Sequence, residues 1–83
     1  MKDLIKRIVQ ELVDNPEQVA VSEVVGDRIS ILEVRVSKED IGKVIGKKGR
    51  NVQAIRTILR AASAKEKKHT ALEIIEPSVE KKQ

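Results

Sequence analysis

The residues best placed to do chemistry in this 83-residue chain are Gly46-Lys47-Lys48-Gly49, within Ile41-Gly42-Lys43-Val44-Ile45-Gly46-Lys47-Lys48-Gly49-Arg50. Two glycines free the backbone for a sharp turn and for close approach by another chain. A turn alone needs no charge, so Lys47 and Lys48, flanked by Lys43 and Arg50, point to an anion held at this spot. The stretch is not a nucleotide-binding P-loop. Gly42 lies four residues before Gly46 rather than five, and Arg50 stands where that motif continues with Lys and Ser or Thr. Glu39 and Asp40 are adjacent carboxylates, but neighbours on a helix point in different directions. Their place just after Ser37 suits helix capping rather than acid–base work. His69 is the one histidine and falls at an expected strand start, where a structural role outweighs a catalytic one. With no Cys, no Tyr and no metal-ligand spacing, nucleophile and general base are both hard to cast. The expectation is a protein that is not an enzyme and carries no cofactor or metal.

Charge supports the anion reading. Residues 35–68 hold eleven Lys and Arg against three acidic residues, a net of +8, whereas the remainder of the chain nets −4. Such separation suits one face that seeks a polyanion. Phe, Tyr and Trp are all absent, so any base bound here does without an aromatic stacking platform. No apolar run is longer than Val19-Ala20-Val21, so neither a membrane span nor a signal peptide is expected, and the localisation expected is cytoplasmic.

These residues need elements to hold them. Leu4, Ile5, Ile8, Val9, Leu12 and Val13 recur at helical spacing over 3–13, and Asn15-Pro16 ends that helix. Two β-branched runs follow, joined by a tight turn expected at Gly26-Asp27, with Val19, Val21 and Val25 on one alternation of the first and Leu32, Val34 and Val36 on one of the second. Ser37 begins a short helix over about 38–45, with Asp40 as its capping-box partner. Gly46 ends it. A longer helix over about 50–64 follows, whose buried stripe is Val52, Ile55, Ile58, Leu59 and Ala62. A charged loop leads to a last strand near 69–76, and Pro77 ends it. The fold class expected is α+β, in the order α-β-β-α-α-β, with a three-stranded sheet covered on one face by three helices. Residues 1–77 form one domain and 78–83 a flexible tail.

The run Val44-Ile45-Gly46-Lys47-Lys48-Gly49-Arg50-Asn51-Val52-Gln53-Ala54-Ile55 resembles the core motif of the KH domain, (I/V)IGxxGxx(I/V)xxI. Val44, Ile45, Gly46, Gly49, Val52 and Ile55 fall on its fixed positions. A helix and a strand placed before that core resemble the bacterial type II topology, and the resemblance spans essentially the whole chain. It implies a small single-KH protein that binds single-stranded RNA and acts as an RNA chaperone. It further implies a larger KhpB (Jag/EloR-like) partner and a link to cell elongation and wall homeostasis; the weak binding expected of one domain separately points to a homodimer or a heterodimer with that partner. Carried onto this chain, Gly46 and Gly49 admit the RNA backbone and Lys47, Lys48, Arg50 and Lys43 meet phosphates. Ile41, Val44 and Ile45 form one groove wall, and the strand around Ile31–Arg35, taken as an edge, forms the other. The rival expectations are a dimerisation module using the same helices and loop, and a binder of single-stranded DNA.

Overall fold

Ile5 and Val9, one helical turn apart, are fully buried and fix the face that the first helix, α1 (Lys2–Leu12), turns inward. Leu4 lies off that stripe and is exposed. The helix stops at Val13, whose backbone is extended, and a short 3-10 turn at Pro16–Gln18 redirects the chain. The computed structural model describes residues 1–76; the expected tail at 78–83 lies outside the described residues.

Strands β1 (Ala20–Val25) and β2 (Ile29–Arg35) pair antiparallel, from Ala20 opposite Arg35 to Val25 opposite Ser30. The Gly26 N–H donates to the Ile29 carbonyl at 2.8 Å, so the two-residue connection is Asp27-Arg28, one place later than expected. Glycine serves the closing pair rather than the corner, because a Cβ at Gly26 would stand 3.0 Å from the Ile29 carbonyl oxygen. The hairpin tip is open to solvent. Val24, Val25 and Ile29 are all exposed.

After β2 the chain forms a 3-10 turn (Lys38–Asp40), then α2 (Ile41–Ile45), a second 3-10 turn (Lys47–Gly49) and α3 (Arg50–Lys65). It returns as β3 (His69–Ile75), parallel to β2 from Ile29 opposite His69 to Arg35 opposite Ile75. A parallel neighbour needs a long crossover, and the helix pair supplies it. The sheet order is β1-β2-β3. The strand around Ile31–Arg35 is therefore central, with both edges hydrogen-bonded, and not the edge strand expected. The free edges belong to β1 and β3.

Ser30, Leu32 and Val34 of β2 alternate as buried residues and meet the helical layer, which includes Val44 of α2 and Val52, Ile55 and Leu59 of α3. Fully burying a Leu, Ile or Val side chain contributes about 1.5–3 kcal/mol, so this single aliphatic cluster can order the domain without aromatics. The buried stripe of α3 runs Val52, Ile55, Leu59 and Ser63. Ile58 flanks that stripe and is exposed, contrary to expectation, because four-residue steps from Ile55 and Leu59 carry the contact face on to Ser63. Ordered as α-β-β-α-α-β, the molecule is α+β with three helices over a three-stranded sheet.

Candidate functional site

Asp40 is the residue that sets where α2 begins. Its carboxylate is 1 % exposed and accepts four hydrogen bonds: from the Asp14 and Asn15 backbone N–H groups at 3.2 and 3.0 Å, from Asn15 Nδ2 at 3.0 Å, and from Ser37 Oγ at 3.0 Å. Burial on its own raises the Asp40 pKa, but those donors, Asn15 foremost, outweigh it and hold the carboxyl below its ordinary value of 3.8. The expected capping box does not form, since no side chain caps the N-terminus of either segment here. Instead Asp40 ties the turn after α1 to the start of α2. Ser37 is the local partner the sequence offered, whereas Asp14 and Asn15 lie 26 and 25 positions away, beyond any local spacing rule.

One and a half turns later, α2 ends in the glycine loop. Gly46 has φ +78° and ψ 171°, and a Cβ there would lie 2.6 Å from Asn51 Cγ and 2.8 Å from the Asn51 backbone nitrogen. Only glycine fits so tight a passage. Gly49, at φ +74°, occupies the left-handed region, where a Cβ would meet only Val52 Cγ1 at an ordinary contact distance of 3.9 Å. Lys48 is also left-handed, at φ 57° and ψ 27°, a conformation that costs a side-chain-bearing residue about 1–2 kcal/mol. The Gly49 N–H closes the loop on the Gly46 carbonyl at 3.0 Å, and Asn51 Nδ2 reaches back to the Lys43 carbonyl at 2.8 Å. Asn51 was absent from the sequence-based site. Its signal, an amide two residues beyond a glycine turn, has no distinctive spacing.

The candidate residues divide into three groups. Lys47, Lys48 and Arg50 are exposed around the loop, at the N-terminus of the 16-residue α3. No side chain caps that terminus; the Arg50 N–H is taken by the Lys47 carbonyl, and the positive end of the helix dipole faces the loop. Ile45 is 38 % exposed and presents an apolar surface beside it. Val44, by contrast, is fully buried, and Ile41 is half-buried against the core; these two anchor α2. Lys43 lies on the far flank, where its ammonium pairs with Asp14 at 3.4 Å, an exposed contact of the kind that contributes at most about 1 kcal/mol.

From the loop, α3 runs beside the free edge of β3. Arg56 and Arg60 lie on that side, and with His69, Thr70, Ala71 and Leu72 they line a cleft of about 290 Å³. Neither arginine figured among the sequence-based candidates, because the position of β3 next to α3 depends on the sheet order. Among the described residues, no cluster of three or more His, Cys, Asp or Glu side chains is placed to hold a metal ion. No helix of these residues is long and apolar enough to cross a membrane.

A helix–GxxG–helix core following a helix and two strands, with the last strand parallel to the middle one, is the architecture of a KH domain of the type II order. The family model described as "KhpA/KhpB, KH domain" matches residues 2–74, and the chain belongs to that family. It is 55 % identical over 75 residues to the RNA-binding protein KhpA of Clostridium perfringens, covering 90 % of this chain and all of that one. KhpA of Caldanaerobacter subterraneus is 53 % identical over the same shares. That of Aquifex aeolicus is 45 % identical, over 92 % of this chain and 96 % of its own. No solved structure matches the chain.

Proposed function

We propose that this chain binds single-stranded RNA by clamping its phosphate backbone on the Gly46–Gly49 loop. The observation that carries this reading is the loop itself: two exposed lysines between two positive-φ glycines, at a helix N-terminus that no side chain caps. The relatives named RNA-binding protein KhpA support RNA as the polyanion. Lys47, Lys48 and Arg50 supply charge, the α3 amides supply donors, and Ile45 supplies one apolar wall. The second wall is the free edge of β3, in place of the central β2. Val44 and Ile41 hold the loop at its height without touching RNA, and Lys43 contributes only at longer range.

With two to four phosphate contacts and no aromatic platform, one domain binds weakly and with little sequence preference. A second RNA-binding unit raises the effective concentration, and we propose a second copy or a KhpB-type protein in that role. The support is that one family description covers KhpA and KhpB, and that Ile58 stands exposed on α3. A cytoplasmic role as RNA chaperone, connected with cell elongation and wall homeostasis, rests on the family resemblance. Backbone amide NMR shifts during titration with oligouridine test the site. Shifts gathered at residues 45–53 and along β3 are expected; shifts confined to the β1–β2 tip would overturn the assignment.

A further inference from the structure

Among the described residues, two positions that carry a side chain adopt a left-handed backbone, and both are lysines: Lys48 and Lys67, each at φ 57°. Lys48 sits in the glycine loop at the start of α3. Lys67 sits just past the other end of that 16-residue helix, about 24 Å along its axis. There the chain makes a Schellman turn, in which the Lys67 N–H donates to the Ala64 carbonyl and the Lys68 N–H to the Ser63 carbonyl, each at 3.2 Å. Glycine is usual at this position of the turn, because a Cβ disfavours the conformation by a factor of about 5–30. A cation beside the last carbonyls of a helix returns a factor of at most about five, and Lys65 already supplies one in the last turn. Helix capping therefore does not account for lysine here.

The surroundings of Lys67 are basic as well. Lys65 and Lys67 are exposed and Lys68 is half-buried. The His69 N–H donates to the Arg28 carbonyl at 3.2 Å, which brings the corner of the β1–β2 hairpin, with its arginine, beside the turn. Asp27 and Glu66 are the acids of these two corners, two against four cations. Among the described residues, none of Arg28, Lys65, Lys67 and Lys68 takes part in an ion pair. The cleft lined by Arg56, Arg60 and His69 lies between this turn and the loop, so cations continue along the length of α3. We propose that the α3–β3 turn is a second phosphate contact, centred on Lys67, which takes up the backbone of an RNA strand beyond the four or so nucleotides that the loop holds. The proposal rests on the RNA reading of the loop and lengthens the strand that this reading implies. Lysine at each end of one helix, where glycine is easier, then has one explanation: each is kept for its charge.

The test uses strand length. A longer oligonucleotide binds better merely by offering more registers, so each variant is compared with the parent at one length. Amide NMR titrations of the full chain with tetrauridine and with decauridine, over a salt series, give affinity and salt slope for the parent, Lys67→Gly, and the double variant Lys65→Gln, Lys67→Gly. Glycine suits the turn, so the melting temperature of Lys67→Gly should be unchanged or higher. On decauridine the double variant should bind about three- to tenfold more weakly, with a log–log salt slope shallower by about 0.7–1.4. On tetrauridine it should match the parent, since the loop lies several screening lengths away at about 0.15 M salt. Equal losses at both lengths, or a loss at neither, would overturn the second contact and leave the loop reading standing. The Lys47→Asp, Lys48→Asp variant is the independent control: tetrauridine binding that survives it unchanged removes the loop clamp, whatever the turn variants do.

Discussion

The side-chain amide of Asn51 donates to the carbonyl oxygen of Lys43 at 2.8 Å, spanning the glycine loop from the first turn of α3 to the last of α2. Together with the Gly49 to Gly46 hydrogen bond it holds Lys47 and Lys48 out into solvent on a closed loop. Removing the amide in Asn51→Ala should cost about 1 kcal/mol, the usual net contribution of one such bond. It should also weaken RNA binding, because the loop no longer holds one shape. Urea unfolding and an RNA titration on the same preparation check both effects.

The two glycines are not equivalent. Gly46→Ala meets Asn51 atoms at 2.6–2.9 Å and keeps an unfavourable φ, so a loss of about 2 kcal/mol or more is expected. Gly49→Ala has room and faces only the left-handed penalty, about 1–2 kcal/mol. Equal destabilisation of the two variants in urea would contradict the geometry.

Lys48 sits where glycine is conformationally easier. Lys48→Gly should therefore leave stability unchanged or raise it by up to about 1 kcal/mol. RNA affinity should fall, and the log–log salt slope should become shallower by about 0.7 for one lost phosphate contact. A variant both less stable and unimpaired in binding would reverse the roles assigned to this residue.

The loop was legible in the sequence for a physical reason. Glycines at Gly46 and Gly49, lysines between them and the Val52–Ile55 step are all local, and local chemistry decides turns and helix faces. Asp40 was legible only as the capping-box partner of Ser37, whose hydroxyl does bond it. Its other partners, Asp14 and Asn15, come from another element, so a cap was inferred where a cross-link between elements exists. The placing of Ile31–Arg35 at an edge failed likewise. Strand order depends on how the α2–α3 crossover returns the chain, and no alternation of side chains records it. Arg56 and Arg60 were missed with it, since the edge strand they face could not be placed.

Asp40 also gives the fold a pH dependence with a definite sign. Its pKa is held below 3.8 in the folded state, so the stability it contributes is complete above that value. It is lost as pH falls from 3.8 through the lower folded value. Thermal melts across pH 2–6 should show the parent losing stability at the acid end. Asp40→Asn should be less stable than the parent at pH 6, and the gap should narrow as the solution is acidified. A gap that stays constant with pH would contradict the bonded carboxylate.

The measurement closest to the central claim is RNA binding by the Lys47→Asp, Lys48→Asp variant, by fluorescence anisotropy at about 0.15 M salt, with circular dichroism to confirm the fold. Both glycines, Asn51 and the core remain, so the structure should persist, while two negative charges now face the phosphate. The clamp predicts a parent with a log–log salt slope of about −1.4 to −2.8 and a folded variant that no longer binds. A folded variant that binds the RNA as the parent does would contradict it.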